Sequence, residues 1–267
     1  MKLMEGKTGL VMGIANDKSI AWGIAKALAN HGANMAFSYQ SESVQKRITP
    51  LAESLGMPNI FRCDASDEES IQALFANVGN LFGKIDFIVH AIAFSDKKEL
   101  AGRYLDTSRA NFLNSMNISC FSFTSVCKNA EPYLNDGASI LSLTYLGAER
   151  VMPNYNVMGV AKAALEASVK YLAVDLGKSN IRVNAISAGP IKTLAASAID
   201  DFRYILKWNL YNSPLKRNTT LDDVGGSAVY LLSDLSNGVT GEIIHVDSGY
   251  HVIGMKSPDA PDISIVE

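Results

Sequence analysis

A tyrosine and a lysine seven residues apart, Tyr155 and Lys162 in "YNVMGVAK", are residue types from which proton-donating chemistry can be built. On a helix turning ~100° per residue, that spacing brings the second side chain within ~20° of the first, two turns along one stripe. The separation is too long for direct contact, yet a ligand lying along the helix would meet both. A phenol hydroxyl can donate a hydrogen bond to an oxygen that becomes negative during reaction. A lysine can hold sugar hydroxyls, and its charge favours a more acidic phenol. On spacing alone, a surface lysine and a half-buried tyrosine of a long helix is the plainer reading. The surroundings shift that balance: a second tyrosine, Tyr145, ends the apolar run "SILSLTY" and is delivered to the carboxyl end of a central strand, where doubly wound folds bind ligands.

The elements that must position these residues are legible as alternating patterns. Apolar, β-rich runs cover residues 9–14, 34–39, 59–62, 87–91, 139–144, 181–187 and 243–246. Most are near-continuous, as parallel strands covered on both faces should be. Helical patterns lie between them at 20–30, 41–54, 66–81, 109–131, 155–177 and 221–233. This alternation predicts an α/β fold: a single-domain, doubly wound, Rossmann-like parallel sheet of about seven strands with helices on both faces. The expected division is a catalytic domain over 1–255, with a flap at about 191–210, and an irregular tail over 256–267 carrying Pro258 and Pro261.

The first strand runs into "GIANDKSIAWG", where a turn glycine, Gly13, precedes a helix start. That layout suits a pyrophosphate, because the free amides and positive dipole end of the first helical turn attract phosphate. Ser19 can cap the helix or donate its hydroxyl. The G-x-G-x-x-G pattern is absent, so an ordinary βα turn remains open at this point. The second strand ends "FSYQSES", and Gln40 stands where an adenine-ribose reader is expected. Gln40 can bond ribose hydroxyls without a charge, while Glu42 would repel a 2′-phosphate and the first cations, Lys46 and Arg47, come two helical turns later. NADH is therefore favoured over NADPH. Asp64 in "RCDAS" can accept from an adenine amino group or cap the next helix.

Downstream, "VNAISAGPIKTLAAS" ends a strand at Gly189-Pro190, and Thr193, Leu194, Ala195 and Ala196 follow. The apolar stripe Ile199, Phe202, Leu206 then reads either as a core helix or as a flap closing an apolar pocket over a nicotinamide and a fatty chain. Thr193 can bond a carboxamide or phosphates. The chain has 267 residues, 48% of them hydrophobic, enough for a sizeable core without metal or disulfide. A net charge of -3 argues against general nucleic-acid binding. Three cysteines without metal-ligand spacing point to a reduced, cytoplasmic setting. The N-terminus lacks a signal-peptide layout, and no run is long enough for membrane insertion.

Over nearly its whole length the chain resembles the short-chain dehydrogenase/reductase superfamily, and within it the divergent branch of NADH-dependent bacterial enoyl-[acyl-carrier-protein] reductases. The resemblance rests on "GIANDKSIAWGIA", "YLGAERVMPNYNVMGVAKAALEA", "RVNAISAGPIKTLAAS" and "GEIIHVDSGY". The usual superfamily pattern, Tyr-x-x-x-Lys, would put tyrosine at Met158, and the usual serine would stand at Tyr145. A ketoreductase must protonate an alkoxide on the carbon that receives hydride. An enoyl reductase develops charge on the more distant thioester oxygen, which a relocated Tyr155 fits. The resemblance implies that Tyr155 stabilises the enolate, Lys162 binds the nicotinamide ribose and Tyr145 assists at the substrate. It implies that Gly13, Ser19, Ile20, Gln40, Asp64, Ala65, Ile92, Lys162, Ile191, Lys192, Thr193, Leu194 and Ala195 line the NADH site. Ser95, Met158 and Phe202, with the two tyrosines, then border the substrate, and no metal is needed. The implied partners are an enoyl-acyl carrier protein and sister subunits of a homotetramer.

Two features depart from the family pattern. Ala93 in "HAIAF" replaces a usual glycine, which would narrow the pocket for molecules that stack on nicotinamide and spare the reaction. The flap carries Arg203 and Lys207 but also Asp200 and Asp201, so no clean basic rim marks where an acidic carrier protein docks. Two other functions are compatible with the fold. One is a 3-ketoacyl or other carbonyl reductase, which Met158 opposes for want of a hydroxyl. The other is a dinucleotide sensor without turnover, which would be indifferent to Tyr155→Phe.

Overall fold

The computed structural model describes residues 2–263. Met1 and the last four residues of the expected tail, 264–267, lie outside the described residues. The apolar runs form β1 (Thr8–Met12), β2 (Asn34–Tyr39), β3 (Ile60–Arg62), β4 (Ile85–His90), β5 (Leu134–Thr144), β6 (Arg182–Ala188) and β7 (Ile243–Val246). They pair in parallel in the order β3-β2-β1-β4-β5-β6-β7, a seven-stranded sheet among the described residues. Strand order reverses between β1 and β4, which opens a crevice at the carboxyl edge, the place where such sheets bind ligands. β5 begins earlier than its apolar run because Leu134 pairs with Ile85 before a register shift.

Helices cover both faces. α1 (Ile20–Asn30), α2 (Glu42–Ser54) and α8 (Leu221–Leu232) contribute to one core with Val11, Phe37 and Ile186. α3 (Glu68–Phe82), α5 (Ser122–Ala130) and α6 (Val157–Gly177) contribute to the other, with Leu10, Ile140 and Val183. Adjacent residues of one strand thus serve opposite cores, which is why the strands read as continuous apolar runs. Two helices differ from the pattern in the sequence. The run expected over 109–131 is α4 (Arg109–Met116), a π turn over residues 117–121, and then α5. The wider π turn holds Ser119, whose hydroxyl accepts from the Phe94 amide at 2.9 Å and donates to the Phe94 carbonyl at 3.0 Å. The helix expected from 155 starts at Val157, because Asn154 and Asn156 take φ of 59° and 43°, outside helical space. Tyr155 therefore precedes the helix that carries Lys162, and the two do not share a helical stripe.

The flap comprises an irregular stretch from Ile191, a short 3-10 turn and α7 (Phe202–Asn212). Among the described residues no helix is long and apolar enough to cross a membrane.

The tightest constraint on the crevice is at Gly13. Its φ is +97°, and a Cβ there would lie 2.1 Å from the Ala91 carbonyl oxygen at the end of β4. Gly13→Ala should lower the unfolding free energy by about 3 kcal/mol, from the left-handed conformation together with overpacking against backbone. A denaturant midpoint measurement reads this, and an unchanged midpoint would contradict it.

Candidate active site

Tyr155 is held from both sides. The Asn154 side-chain amide donates to the Asp200 carbonyl of the flap at 3.2 Å. The Asn156 amide donates to the Glu99 carbonyl at 3.2 Å. These bonds stabilise the two left-handed residues and fix the tyrosine between the flap and the loop after β4. The side chain is buried with Leu100 and Met158, and Tyr145, Met152 and Ile199 pack against that cluster. The flap residue in contact with it is Ile199, while Phe202 is half-buried at the start of α7. A Cβ on Gly147 would lie 2.3 Å from the Tyr155 ring, so only glycine lets "YLGAER" pass this close.

Tyr145 and Tyr155 meet edge to face, with ring centroids 5.0 Å apart and planes at 77°. Burial pushes both phenols well above the usual tyrosine range, and for Tyr155 the neighbouring Tyr145 and Glu166 push the same way. The expected acidification of Tyr155 by Lys162 is not seen: desolvation, Tyr145 and Glu166 all raise it. Tyr155 keeps its proton and is a hydrogen-bond donor. The Tyr145 hydroxyl is buried without a hydrogen-bond partner in the protein, a polar atom suited to a ligand.

Lys162 is buried, and its ammonium donates to the Leu143 carbonyl at 2.8 Å, near the carboxyl end of β5. Burial pushes it down to about 8, opposed by nearby Cys120 and Glu166. Beside it, the fully buried His90 is pushed down to about 3, first by desolvation and then by the Lys162 charge, so it is neutral. The His90 ring bridges β5 and α5, with Nε2 2.9 Å from Ser122 Oγ and Nδ1 3.3 Å from Ser142 Oγ. Thr144 donates to Glu166 at 2.7 Å and ties β5 to α6 just below Tyr145. His90 and the Thr144–Glu166 pair were not apparent as site residues, since lone polar residues in strand and helix patterns carry no spacing signal.

At the other end of the crevice, Ser19 occupies the N-cap position of α1, but its hydroxyl accepts from the Ala15 and Asn16 amides at 3.0 and 3.1 Å. It shapes the loop instead of capping the helix; the Trp22 amide bonds the Ser19 carbonyl at 3.0 Å, and the Ile20 and Ala21 amides are left for an anion. Gln40 and Asp64, at the ends of different strands, stand near enough for the Gln40 side chain to help lower the Asp64 carboxyl, after Ser66. Asp64 also accepts from Ser66 N and Oγ at 2.9 and 2.7 Å, and these bonds hold its carboxyl below the usual range. The cap of α3 is Asp67, so Asp64 is spared that task. Ala65 is half-buried beside it, and Ile20 and Ile92 are half-buried against the two cores. In the flap, Ile191 packs on the core, Lys192, Leu194 and Ala195 are exposed, and Thr193 Oγ1 accepts from the Ala196 amide at 3.0 Å. Ser95 is engaged with Asn111 of α4 at 3.0 Å, and Ala93 is exposed on the loop after β4. The Ser119 hydroxyl lies 3.6 Å from Met158 Sδ, which fixes the thioether next to Tyr155.

The family model described as enoyl-(acyl carrier protein) reductase matches residues 13–251. The chain is 65% identical over 265 residues to enoyl-[acyl-carrier-protein] reductase [NADH] 1 of Rhizobium meliloti, covering 99% of this chain and 97% of the relative. It is 58% identical over 253 residues to enoyl-[acyl-carrier-protein] reductase [NADH] FabI of Rickettsia typhi, covering 95% and 97%. A crystal structure of the enoyl-(acyl-carrier-protein) reductase of Anaplasma phagocytophilum in complex with NAD superposes with a TM-score of 0.93 at 64% identity, over 97% of each chain.

His90 gives a pH signature to the fold. Its folded pKa lies below that of an unfolded histidine, so between about pH 6.5 and 3 the unfolded chain holds the extra proton. Stability from this residue is full above that window and should fall with acidification by up to about 1.4 kcal/mol per pH unit. Denaturant unfolding across this range should show a shallower slope for His90→Gln than for the wild type. Equal slopes would contradict a neutral His90.

Proposed function

The chain belongs to the enoyl-[acyl-carrier-protein] reductase family, and from that premise we propose how its residues divide the work. It is an NADH-dependent enzyme of fatty-acid elongation. NADH, when bound, supplies the hydride that reaches the β carbon of a trans-2-enoyl thioester. Tyr155, protonated and held by Asn154 and Asn156, donates a hydrogen bond to the thioester oxygen as that oxygen becomes an enolate. Tyr145 packs on Tyr155 and steadies its ring, and its unpartnered hydroxyl faces substrate. Lys162 has three N–H bonds, of which Leu143 takes one, so the others are available to ribose hydroxyls.

The remaining residues fit a dinucleotide along the crevice. The turn at Gly13 and the uncapped start of α1 take the pyrophosphate, and the Gln40–Asp64 pair takes the adenosine. Ala65, Ile92 and Ile191 to Ala195 complete that wall, with Thr193 free to exchange its local bond for one to the cofactor. Gln40 carries no charge to welcome a 2′-phosphate, which supports NADH over NADPH. Met158, Ser95 and Phe202 line the substrate side.

The observation that carries this reading is a buried, protonated Tyr155 beside Tyr145, with Met158, which has no hydroxyl, where a carbonyl reductase would place its tyrosine. The working unit in this reading is residues 1–255 with the flap at 191–210, followed by the tail. The subunits assemble as a homotetramer, supported by apolar side chains exposed on the outer helices, Leu113 of α4 and Tyr171 and Val174 of α6. A cytoplasmic setting is supported by Cys63, Cys120 and Cys127, all free and buried. The acyl chain arrives on an acidic carrier protein.

The test is oxidation of NADH with a trans-2-octenoyl thioester, with NADPH and a 3-ketoacyl thioester as controls. Turnover of the enoyl substrate with NADH is expected, and turnover of the ketoacyl substrate alone would overturn the reading. Tyr155→Phe should lower kcat by about 100- to 1,000-fold with little change in NADH affinity, because its bond forms chiefly in the transition state. Equal losses in affinity and turnover would contradict that role.

Lys162 predicts a pH dependence of binding. Its charged form is lost as pH rises through about 8, so NADH affinity should weaken between pH 7.5 and about 9.5. Fluorescence titration should find that decline in the wild type, and weaker, pH-independent binding in Lys162→Ala. A flat profile in both proteins would remove Lys162 from the ribose.

A further inference from the structure

The turn that follows Tyr145 touches both tyrosines and is itself slender. Residues 145–150 leave β5 in one 3-10 turn, closed by the Ala148 amide on the Tyr145 carbonyl at 2.9 Å and the Arg150 amide on the Leu146 carbonyl at 3.0 Å. At its middle, Gly147 runs so close that a Cβ would lie 2.3 Å from the Tyr155 ring and 3.2 Å from the Tyr145 ring. The Gly147 carbonyl abuts α6 at Gly159, where a Cβ would lie 2.7 Å from it. The Tyr145 hydroxyl has no partner in the protein, so no hydrogen bond holds that ring by its polar end. The attitude of Tyr145, and the surface on which Tyr155 packs, therefore follow the turn.

Carboxylates fix the turn at both ends. Before it, Thr144 donates to Glu166 of α6 at 2.7 Å. After it, Glu149 Oε1 lies 2.7 Å from Nε2 of His245 on β7. A carboxylate can only accept, so the Nε2–H donates whether or not the ring is charged. The next residue, Arg150, donates to the Ile253 carbonyl at 2.8 Å, so two successive residues moor the turn to the last strand and the segment after it. That mooring is firm. His245 stands opposite Ser187 in the pairing of β6 with β7, and its ring stacks on His251 with centroids 4.1 Å apart and planes at 17°. His251 Nδ1 is 3.0 Å from the buried Asp247, whose carboxylate also accepts the Gly249 amide at 3.0 Å and the His251 amide at 2.8 Å. Burial raises the Glu166 carboxyl, and among the smaller influences Glu149 raises it and His245 lowers it, so the imidazole is within electrostatic reach of both carboxylates.

We propose that Glu149 and His245 are positioning residues: their hydrogen bond moors the Tyr145 turn to β7 and so fixes where the two phenols stand relative to the substrate. The assignment rests on the enoyl-thioester reading above and asks neither residue to touch the substrate. The Glu149 side chain is 43% exposed and that of His245 19%. A pair this open to water contributes little to stability. A small displacement of a group that must meet the reacting atoms is, by contrast, costly to rate. Loss of the pair should therefore show in turnover and hardly at all in folding.

The test measures kcat, KM for a trans-2-octenoyl thioester, NADH affinity and denaturant midpoint in single and double variants. Glu149→Ala and His245→Ala should each lower kcat on the order of tenfold, with KM and NADH affinity within about twofold of the wild type. Glu149→Gln keeps an oxygen that accepts from His245 and should recover most of the lost kcat. The double variant, Glu149→Ala with His245→Ala, should be no slower than the slower single one, because the two residues act through one bond. Glu149→Ala should keep the wild-type midpoint, which separates misplacement from unfolding. Unchanged kcat in both single variants overturns the proposal, as do losses that multiply in the double variant or a midpoint that falls in step with kcat. If His245→Ala does not fold, the two variants of the exposed Glu149 carry the test: turnover restored by Gln supports the proposal, and equal turnover in Gln and Ala overturns it. Failure of the wild type to reduce any enoyl thioester is a different outcome, because it overturns the enoyl-thioester reading and the positioning assignment with it.

Discussion

A buried ammonium ion at the carboxyl edge of the sheet is the constraint on which the site depends. Lys162 is 6% exposed, and its hydrogen bond to the Leu143 carbonyl satisfies one of three donors. Burying a charge with so little compensation is unfavourable, and burial accordingly lowers its pKa. The arrangement is intelligible as a site prepared for a polyhydroxylated ligand that supplies the missing acceptors. Its neighbours conform to it. His90, desolvated and next to this charge, is neutral and bridges two serines as an uncharged ring. Leu143 is fixed by the pairing of β5 with β6, so the position of the charge is a property of the sheet.

The second constraint is the placement of Tyr155 outside the helix. Two asparagines in left-handed conformation cost free energy that their bonds to the flap and to the loop after β4 offset. The result is that this phenol is positioned by three segments distant in sequence. Tyr155 stands before α6, and Met158 on the first turn of that helix packs beside it as an apolar surface. In the proposed mechanism the reaction follows from where one hydroxyl stands relative to Lys162 and the end of β5.

Much of this was legible in the sequence. The strand and helix alternation and the Gly13 turn follow from apolar periodicity and turn chemistry, which are local. α1 and β2 coincide with their patterns because each carries one clear period. The break of the helix at Asn156 was read through, because the pattern of "GVAKAALEA" was extended back over two asparagines that tolerate positive φ, and their partners lie 46 and 57 residues away. The π turn at 117–121 was hidden for the same reason: what holds it includes the Phe94 backbone. Gln40 and Asp64 were each identified alone, and only the fold brings them close together.

The most direct test of the central claim is a crystal structure of the ternary complex with NAD and an unreactive 2-enoyl thioester analogue, from which one distance is measured. The account predicts that Tyr155 Oη lies at about 2.7–3.1 Å from the thioester oxygen, with Lys162 Nζ on the nicotinamide ribose. A thioester oxygen bound by Tyr145 or by water alone, with Tyr155 turned away, would contradict it.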